Sequence, residues 1–198
     1  MNNKLIAIFG GAFNPPTVAH YEVTKHLLSL PFIKKVFLMP VGDHYDKPGL
    51  APAEHRLEML RMMVKDLPKA KASDLEVIAN RALKTVETLE ILQILNEGKE
   101  FAFVMGADNL RELPNWSQHE KLIKNFKMII FNRGEFDVQS LITDNFSKYQ
   151  NNFIVIDDFA KLDISATQYR ENPPTEDLLL PEVTDYIEKH GLYRRFYS

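Results

Sequence analysis

Short apolar runs alternate with segments of helical periodicity along most of this chain. The runs fall at residues 5–9, 36–39, 75–79, 101–105, 128–131 and 153–156, and runs of this kind predict strands of a sheet. Apolar residues recur near a 3.6-residue period at 18–28, 53–64 and 86–95, which predicts helices there. Because each crossover helix must cover a face of the sheet, this order predicts an α/β fold with a doubly wound parallel sheet.

The length of the chain, 198 residues, is within the usual size of one domain. We therefore expect a single domain over residues 1–198, with the final helices in the part from about 160 to 198. In sheets of this type, ligands bind at the carboxyl ends of the strands. Four of the polar or glycine-rich segments described below directly follow predicted strands, and a fifth opens a predicted helix.

Charge and cysteine content exclude several classes of function. The formal net charge of -3 gives no general attraction to nucleic acid or to an anionic membrane, so we expect neither as a partner. The absence of cysteine excludes disulfides, thiolate nucleophiles and cysteine zinc sites, and it makes the reducing cytoplasm the expected location. The apolar run at residues 5–9 is too short for the apolar region of a signal peptide or for a membrane span.

A glycine-rich segment, GGAFNPPTVAH at residues 10–20, lies between the first predicted strand and the first predicted helix. Gly10 and Gly11 would let backbone N–H groups approach a polyphosphate, and the helix start would add a positive dipole end. Thr17 at the cap and His20 in the first turn share a helix face, so both side chains can converge on one phosphate. The alternative is a simple turn, a simple cap and a partly buried histidine. Neither G-x-G-x-x-G nor G-x-x-x-x-G-K-[ST] is present, which argues against a redox Rossmann enzyme and a Walker-type ATPase.

A second segment, ISATQYR at residues 164–170, follows the last predicted strand at a helix start. The hydroxyls of Ser165 and Thr167, with Arg170 one turn later, could hold the β and γ phosphates of a nucleotide; the alternative is a capped helix with a solvated arginine. Together the two segments resemble the nucleotidyltransferase superfamily that shares a His or Thr, two intervening residues and His, and an I-S-S-T-x-x-R motif. Ala166 stands where that motif usually has serine. The resemblance implies a Rossmann-like nucleotidyltransferase fold.

Three further stretches resemble the nicotinate and nicotinamide mononucleotide adenylyltransferases of that superfamily. They are VGDHYDKPGL at 41–50, which runs into His55 and Arg56, then TVETL at 85–89, and GADNL at 106–110 followed by LPNW at 113–116. All occur in the expected order, and the resemblance extends from Ile6 to about Tyr193.

The resemblance implies an ATP site. Its residues are Gly10, Gly11, Ala12, Phe13, Asn14, His20, Lys47, Gly106, Asp108, Ile164, Ser165, Thr167 and Arg170. Lys47 would place a point charge on a phosphate, and Asp108 would accept hydrogen bonds from ribose hydroxyls. Without the resemblance, these two residues would be interpreted as a solvated loop lysine and a helix cap.

The resemblance also implies a mononucleotide site. Thr85 would orient the nicotinate carboxylate or carboxamide, and Trp116 would stack on the pyridine ring, although a core aromatic is the alternative for this tryptophan. Arg133, which follows the predicted strand at 128–131, could attract a carboxylate.

These roles predict adenylyl transfer from ATP to nicotinate mononucleotide, which yields deamido-NAD and pyrophosphate in NAD biosynthesis. His20, Thr17 and Arg170 would be the catalytic residues. We expect Mg²⁺ to arrive on the ATP phosphates and to keep most of its waters, so no protein metal ligand is predicted.

Three alternatives remain at this point. Nicotinamide mononucleotide could be the main or an equal substrate, or the chain could be another nucleotidyltransferase of the same superfamily. A nucleotide sensor without catalytic activity is the alternative of a different class, and the presence of Thr17, His20 and Arg170 argues against it. The sequence leaves open whether the chain forms a homo-oligomer.

Overall fold

A computed structural model of the chain describes residues 4–132, 136–159, 164–171 and 178–193. The strands are β1 (Leu5–Gly11), β2 (Ile33–Pro40), β3 (Ala70–Ala72), β4 (Phe101–Gly106), β5 (Lys127–Phe131) and β6 (Phe153–Ile156). They form one sheet in the order β3-β2-β1-β4-β5-β6, and every neighbouring pair is parallel. The predicted doubly wound parallel α/β sheet is confirmed.

Helices connect the strands. They are α1 (Val18–Ser29), α2 (Ala53–Met63), α3 (Thr85–Leu95), α4 (Ala107–Glu112), α5 (His119–Asn125), α6 (Val138–Phe146), α7 (Ala166–Glu171) and α8 (Pro181–His190). Short 3-10 turns occur at Leu113–Asn115 and Ser147–Asn152. Helices α1, α2 and α8 pack on one face of the sheet, and α3, α4, α5 and α6 pack on the other.

β1 lies in the interior of the sheet, between β2 and β4. Its residues alternate between the two faces, since Leu5 and Ala7 join one hydrophobic cluster while Ile6 and Ile8 join the other. A strand that is covered on both faces needs apolar side chains at successive positions. Burial of β1 on both faces therefore explains the continuous apolar run near the start of the sequence.

The predicted strand at residues 75–79 is wrong. The edge strand is instead β3, which pairs Ala70 with Val36 of β2. Leu75 and Val77 lie in a turn, and each packs against a different hydrophobic cluster. Their alternation imitates a strand, but it arises because a turn contacts the clusters of both sheet faces.

β1 also ends later than predicted. Gly10 and Gly11 belong to the strand, where they pair with Met39 and Pro40 of β2. A Cβ added to Gly10 would lie 2.9 Å from the ring of Phe103. The first glycine of the pair therefore has a packing role within the sheet, because it makes room for this ring.

The chain reverses its direction across the sheet at β1. It runs outward from β1 to β2 and β3, and then returns to β4, beside β1, before it continues to β5 and β6. A crevice forms at such a switch point, at the carboxyl ends of the two central strands, and ligands of open α/β sheets bind there. Residues 10–17 and 106–116 both start at this position.

Two predictions about the whole chain involve residues that the structure does not describe. Parts of the predicted C-terminal portion, at 160–163, 172–177 and 194–198, lie outside them. The expectation of a single domain over 1–198 stays a prediction. Within the ranges that the structure describes, no helix has the length and apolar character needed to cross a membrane.

Candidate active site

A pocket of about 230 Å³ lies at the carboxyl end of β1, between the starts of α1 and α7. Nine residues predicted to bind ATP line it: Ala12, Phe13, Asn14, His20, Lys47, Ile164, Ser165, Thr167 and Arg170. Pockets that enclose a whole small ligand usually have volumes of about 300–1,000 Å³. The pocket therefore accounts for one part of a nucleotide site.

His20 is oriented by the residue that caps its own helix. The backbone N–H of Thr17 donates to His20 Nδ1 at 2.9 Å, and the Thr17 hydroxyl lies 2.9 Å from the same nitrogen. Because Nδ1 accepts, this network assigns the proton of the neutral ring to Nε2. Thr17 is only 1% exposed, so its hydroxyl supports the imidazole from the protein side. The ring is thereby fixed in the tautomer that can donate from Nε2.

Two phenylalanines pack around the imidazole. The ring centroids of Phe13 and Phe9 lie 4.9 Å and 5.9 Å from that of His20. Phe13 has a φ of 46°, a region that costs a residue with a Cβ about 1–3 kcal/mol. Its side chain is buried, and a Cβ added to Gly11 would lie 3.3 Å from its ring. Gly11 therefore makes room for the ring that supports His20.

Arg170 joins the two predicted motifs. Its Nη1 donates to the backbone carbonyl of Asn14 at 2.6 Å, although the two residues are 156 positions apart. Its Nη2 donates to the Thr167 hydroxyl at 3.2 Å. The guanidinium thus lies between the helix start of the second motif and the loop of the first, where it can reach a phosphate that contacts both.

The side chain of Asn14 ties three segments together. Its Nδ2 donates to the carbonyl of Gly49 at 2.8 Å, and its Oδ1 accepts from the backbone N–H of Ala51 at 2.9 Å. The hydroxyl of Tyr193, just beyond α8, donates to the same Oδ1 at 2.8 Å. Burial raises the pKa of this tyrosine, so its hydroxyl keeps the proton that it donates. The loop that carries Lys47 is therefore anchored to the loop after β1.

Arg56 lies under the same loops and is fully buried. Its Nε donates to the carbonyl of Ala51 at 2.7 Å, and its Nη1 donates to the carbonyl of Ala12 at 2.9 Å. Burial lowers its pKa, and the charge of Asp43, whose Oδ1 is 3.9 Å from Nη2, opposes that shift. A buried charge needs such partners, so Arg56 fixes the relative position of the two loops.

Sequence reasoning assigned no role to Arg56 or Tyr193. Arg56 had a detectable signal, because Ala53, Leu57 and Leu60 place it on the apolar face of α2. An arginine at that position must find buried acceptors. Tyr193 had no such signal, since its partner is 179 positions away in the sequence.

Gly106 and Asp108 lie at the same edge of the sheet but do not line the pocket. Gly106 ends β4 and caps α4, and Asp108 is exposed in the first turn of that helix. A Cβ at Gly106 would lie 2.4 Å from Asp108 Oδ1. The glycine therefore allows the carboxylate to fold back over the helix start.

Trp116 is half-buried and follows the 3-10 turn after α4. Its ring packs edge-on against Phe103, with 6.1 Å between the centroids. Phe103 is the ring that closely approaches Gly10. Trp116 therefore connects through one aromatic ring to the end of β1, beside the switch point.

Thr85 is the first residue of α3. The carboxylate of Glu87 accepts from the backbone N–H of Lys84 at 2.8 Å and from both terminal nitrogens of Arg81 at 2.9 and 3.0 Å. The hydrogen bonds from Arg81, followed by that from Lys84, lower the pKa of Glu87 to about 2. Its negative charge at this helix start is thus paired. Arg133, the other predicted pyridine-site residue, lies outside the described residues.

Metal-binding side chains do not cluster in the part of the chain that the structure describes. There, no group of three or more His, Asp or Glu side chains could hold a metal ion. The polar side chains around the pocket are two hydroxyls, one amide, an imidazole and the cations Lys47 and Arg170. These groups suit the oxygens of a phosphate better than a metal ion.

Similarity to known proteins covers both motifs. A family model described as cytidylyltransferase-like matches residues 8–172. The chain belongs to the cytidylyltransferase-like family. A probable nicotinate-nucleotide adenylyltransferase of Clostridium acetobutylicum is 31% identical over 96% of this chain and 99% of its own length. One of Acholeplasma laidlawii is also 31% identical, over 96% of this chain and 97% of its own length.

The fold of the chain is also similar to that of a solved structure. Nicotinic acid mononucleotide adenylyltransferase of Plasmodium falciparum, complexed with NaAD, has a TM-score of 0.81 and is 26% identical, covering 96% of this chain and 98% of its own. The cytidylyltransferase-like fold therefore extends over nearly the whole chain. The resemblance identified from the sequence is confirmed.

Proposed function

We propose that this chain is a nicotinate-nucleotide adenylyltransferase. It transfers the adenylyl group of ATP to nicotinate mononucleotide, which gives deamido-NAD and pyrophosphate. The observation that carries the proposal is the contact between the two motifs, in which Arg170 spans from Thr167 to the carbonyl of Asn14 beside His20. The sequences and the structure named above belong to proteins with this activity in their names, and they match the chain over almost its full length.

The reaction needs positioning and charge stabilisation more than proton transfer. The 5′-phosphate of the mononucleotide attacks the α-phosphorus of ATP in line, and pyrophosphate leaves. A phosphate monoester has a second pKa of about 6, so it is mostly ionised at neutral pH and no general base is required. Charge that builds on the transferring phosphoryl group must then be met by donors already in place.

His20 is the main donor in this scheme. Thr17 holds Nδ1 as an acceptor, so Nε2–H can donate to an oxygen of the transferring phosphate. Phe9 and Phe13 limit rotation of the ring, and a donor that is already oriented loses little energy in reorganisation during the reaction. Thr17 is a positioning residue in this scheme.

Arg170, Ser165 and Thr167 hold the leaving pyrophosphate, and Lys47 adds a point charge from the facing loop. Mg²⁺ bound to the ATP phosphates would neutralise further charge there and keep most of its waters. Asn14, Arg56 and Tyr193 set the positions of the loop after β1 and of the loop that carries Lys47.

The pyridine end of the substrate lies beyond the pocket, toward α3 and Trp116. A half-buried tryptophan beside the switch point offers a flat face for the ring. The positive end of the α3 dipole at Thr85 favours a carboxylate. Asp108, at the start of α4, accepts hydrogen bonds from ribose hydroxyls.

Pyrophosphate release tests the proposal directly. The chain is incubated with ATP, Mg²⁺ and one acceptor at a time: nicotinate mononucleotide, nicotinamide mononucleotide, phosphopantetheine or flavin mononucleotide. We expect release with the pyridine mononucleotides and formation of the matching dinucleotide. Release only with another acceptor would replace the proposed substrate, and binding of ATP without release with any acceptor would indicate a nucleotide sensor.

A further inference from the structure

A second groove, of about 400 Å³, lies at the end of the sheet opposite the proposed active site. It is formed at the amino ends of β1, β2 and β3 and at the residues that precede β4. Five lysines line it: Lys34, Lys35, Lys69, Lys71 and Lys99. The adenylyl-transfer scheme uses none of them.

Strand register places two of these lysines, Lys35 and Lys71, on one face of the sheet, so their proximity does not depend on side-chain rotamers. Ile6 of β1 pairs with Lys35 of β2, and Phe37 of β2 pairs with Lys71 of β3. Paired residues of parallel strands lie side by side on one face, as do residues two apart along a strand. Lys35 and Lys71 therefore flank an apolar floor that Ile6 and Phe37 form.

The helices leave this part of the sheet face open. Phe37 is only partly buried, whereas Val36 and Leu38, which point to the other face, are 0% exposed. α3 packs over β1 and β4 and ends at Leu95, and the turn after it contributes Lys99 to the groove. The floor is thus open to a ligand, and cations surround it.

The charge of the groove contrasts with that of the chain. The formal net charge is -3, but no carboxylate lines the groove. Elsewhere Lys25, Lys65 and Lys121 pair with glutamates, whereas within the described ranges the five groove lysines form no ion pair. Glu97 and Glu100 are near Lys99 in sequence, but they do not line the groove.

Protection of the sheet edge explains only part of this pattern. Lysines on an exposed edge strand prevent pairing with other chains, which accounts for Lys69 and Lys71 beside and on β3. Lys35 is on an interior strand, and Lys99 is in the turn before β4. Neither protects an edge, yet both face the same groove. Cations that line one groove repel one another, and a multivalent anion would relieve that repulsion.

We propose that this groove binds an oligophosphate, either free or as the phosphate chain of a nucleotide. Lysine ammonium groups bind phosphates as compact point charges, and several of them around one groove match several phosphate charges. The apolar floor at Phe37 can take the base of a nucleotide in addition. The site is separate from the ATP pocket, so it stands or falls independently of the proposed enzymatic activity.

Two triple variants with equal charge change test the proposal. The groove variant is Lys35→Gln, Lys71→Gln and Lys99→Gln. The control variant makes the same lysine-to-glutamine change at three exposed positions outside the groove, Lys124, Lys148 and Lys189. Each protein is titrated with inorganic tripolyphosphate while backbone amide resonances are recorded. The backbone amides at positions 71 and 99 report on the groove, whether lysine or glutamine is present there. The backbone amides of Ser165 and Thr167 report on the ATP pocket.

We expect saturable shifts of the groove amides in the wild type and in the control variant. In the groove variant, affinity at these amides should fall about tenfold or more, since three surface charge contacts are lost. Shifts at the ATP pocket and the rate of pyrophosphate release should stay near wild type. Binding to the groove should weaken as salt rises toward about 0.15 M.

A parallel titration with guanosine triphosphate distinguishes the two sources of the anion. Tighter binding than tripolyphosphate assigns the groove to a nucleotide, and equal binding assigns it to free oligophosphate. Equal affinity of the groove and control variants would reduce the effect to general charge and overturn the proposal. Groove amides that do not shift in the wild type would overturn it as well.

Discussion

His20 shows how neighbouring residues determine what one side chain can do. Nδ1 is occupied by Thr17, and two phenylalanine rings limit the ring's rotation. The first motif indicated His20 and Thr17 because both are local to one helix start. The division of their roles, with Thr17 behind the ring, depends on burial and could not be inferred from spacing alone.

Replacement of this histidine should affect catalysis far more than folding. We expect His20→Ala to lower kcat by about 100-fold or more, as for loss of an oriented donor to a developing charge. The midpoint of thermal unfolding and the affinity for ATP should change little. Steady-state kinetics beside equilibrium ATP binding measure both effects. A kcat near wild type would remove His20 from catalysis.

Glu76 gives a prediction about pH and stability. Burial raises its pKa, and a hydrogen bond from the Thr88 hydroxyl at 2.7 Å opposes that shift. Because the folded state raises the pKa of this carboxyl, the protein loses stability as pH rises from the ordinary value of 4.5 through the raised pKa. Glutamine keeps an acceptor for Thr88 but carries no charge.

We therefore expect Glu76→Gln to raise Tm at neutral pH, with a gain that shrinks as pH falls toward 4.5. Thermal melts across that pH range measure it, and Glu97→Gln, at an exposed position, is the matched control. A gain that is independent of pH would show that desolvation of the Glu76 carboxylate is not the cause.

At the scale of elements, local pattern predicted most of the sheet. β1, β2, β4 and β5 were found because their apolar runs are buried within it, and β6 was found because its sequence FIVI is apolar throughout although it is a partly buried edge strand. β3 was missed because an edge strand with the sequence AKA has little apolar signal. The anchoring of the Lys47 loop was also missed, since it depends on Asn14, Arg56 and Tyr193 from three different segments.

The contact between the segment just after α8 and this loop can be tested by removing one hydroxyl. Tyr193→Phe leaves Asn14 Oδ1 with the backbone N–H of Ala51 as its donor, so one hydrogen bond worth about 0.5–1.5 kcal/mol is lost. We expect a several-fold higher KM for ATP, because the loop that carries Lys47 is less well anchored. The matched control is Tyr186→Phe on α8, whose hydroxyl contacts His55 Nδ1 at 2.9 Å. Equal KM values for the two variants would contradict the anchoring role.

The turn at residues 75–77 packs against the other end of the same loop. A Cβ at Gly42 would lie 2.2 Å from the carbonyl oxygen of Glu76, so Gly42→Ala must move backbone. We expect a loss of about 1–3 kcal/mol in the free energy of unfolding, and a higher KM for ATP.

Gly98→Ala is the control for Gly42→Ala. A Cβ at Gly98 would meet open space, but its φ of +75 favours glycine. The control substitution should lower stability through backbone strain alone and leave KM unchanged. Chemical denaturation and ATP kinetics measure the two effects. An unchanged KM in Gly42→Ala would show that the turn does not position the loop.

At the scale of the whole molecule, a small net charge conceals an uneven distribution. The carboxyl ends of the strands carry the proposed active site, and the amino ends carry a groove with five lysines. Composition predicts that any phosphate must be bound by a local site, but the location of the lysine groove depends on strand order. Lys35, Lys71 and Lys99 are distant in sequence and line one groove only because β3, β2, β1 and β4 lie side by side in the sheet.

We expect local charge to determine the preference between acid and amide substrates as well. A carboxylate and a carboxamide differ by one full charge, and the dipole at the start of α3 favours the acid. Glu87 would oppose the acid, but Arg81 pairs with its carboxylate. By contrast, the loop at residues 41–50 and Thr17 in place of a first histidine resemble enzymes that accept the amide.

We predict that nicotinate mononucleotide is the better substrate by kcat/KM, by about tenfold, as a charge–dipole term of about 1–2 kcal/mol implies. Turnover of nicotinamide mononucleotide should be measurable. Glu87→Gln keeps an acceptor for Arg81 and Lys84 but removes the negative charge near Thr85, so it should increase the ratio of acid to amide further. Side-by-side kinetics at matched ATP and Mg²⁺ measure both ratios. A clear preference of the wild type for the amide would overturn the acid assignment while leaving adenylyl transfer intact, and an unchanged ratio in Glu87→Gln would place the pyridine substituent away from the start of α3.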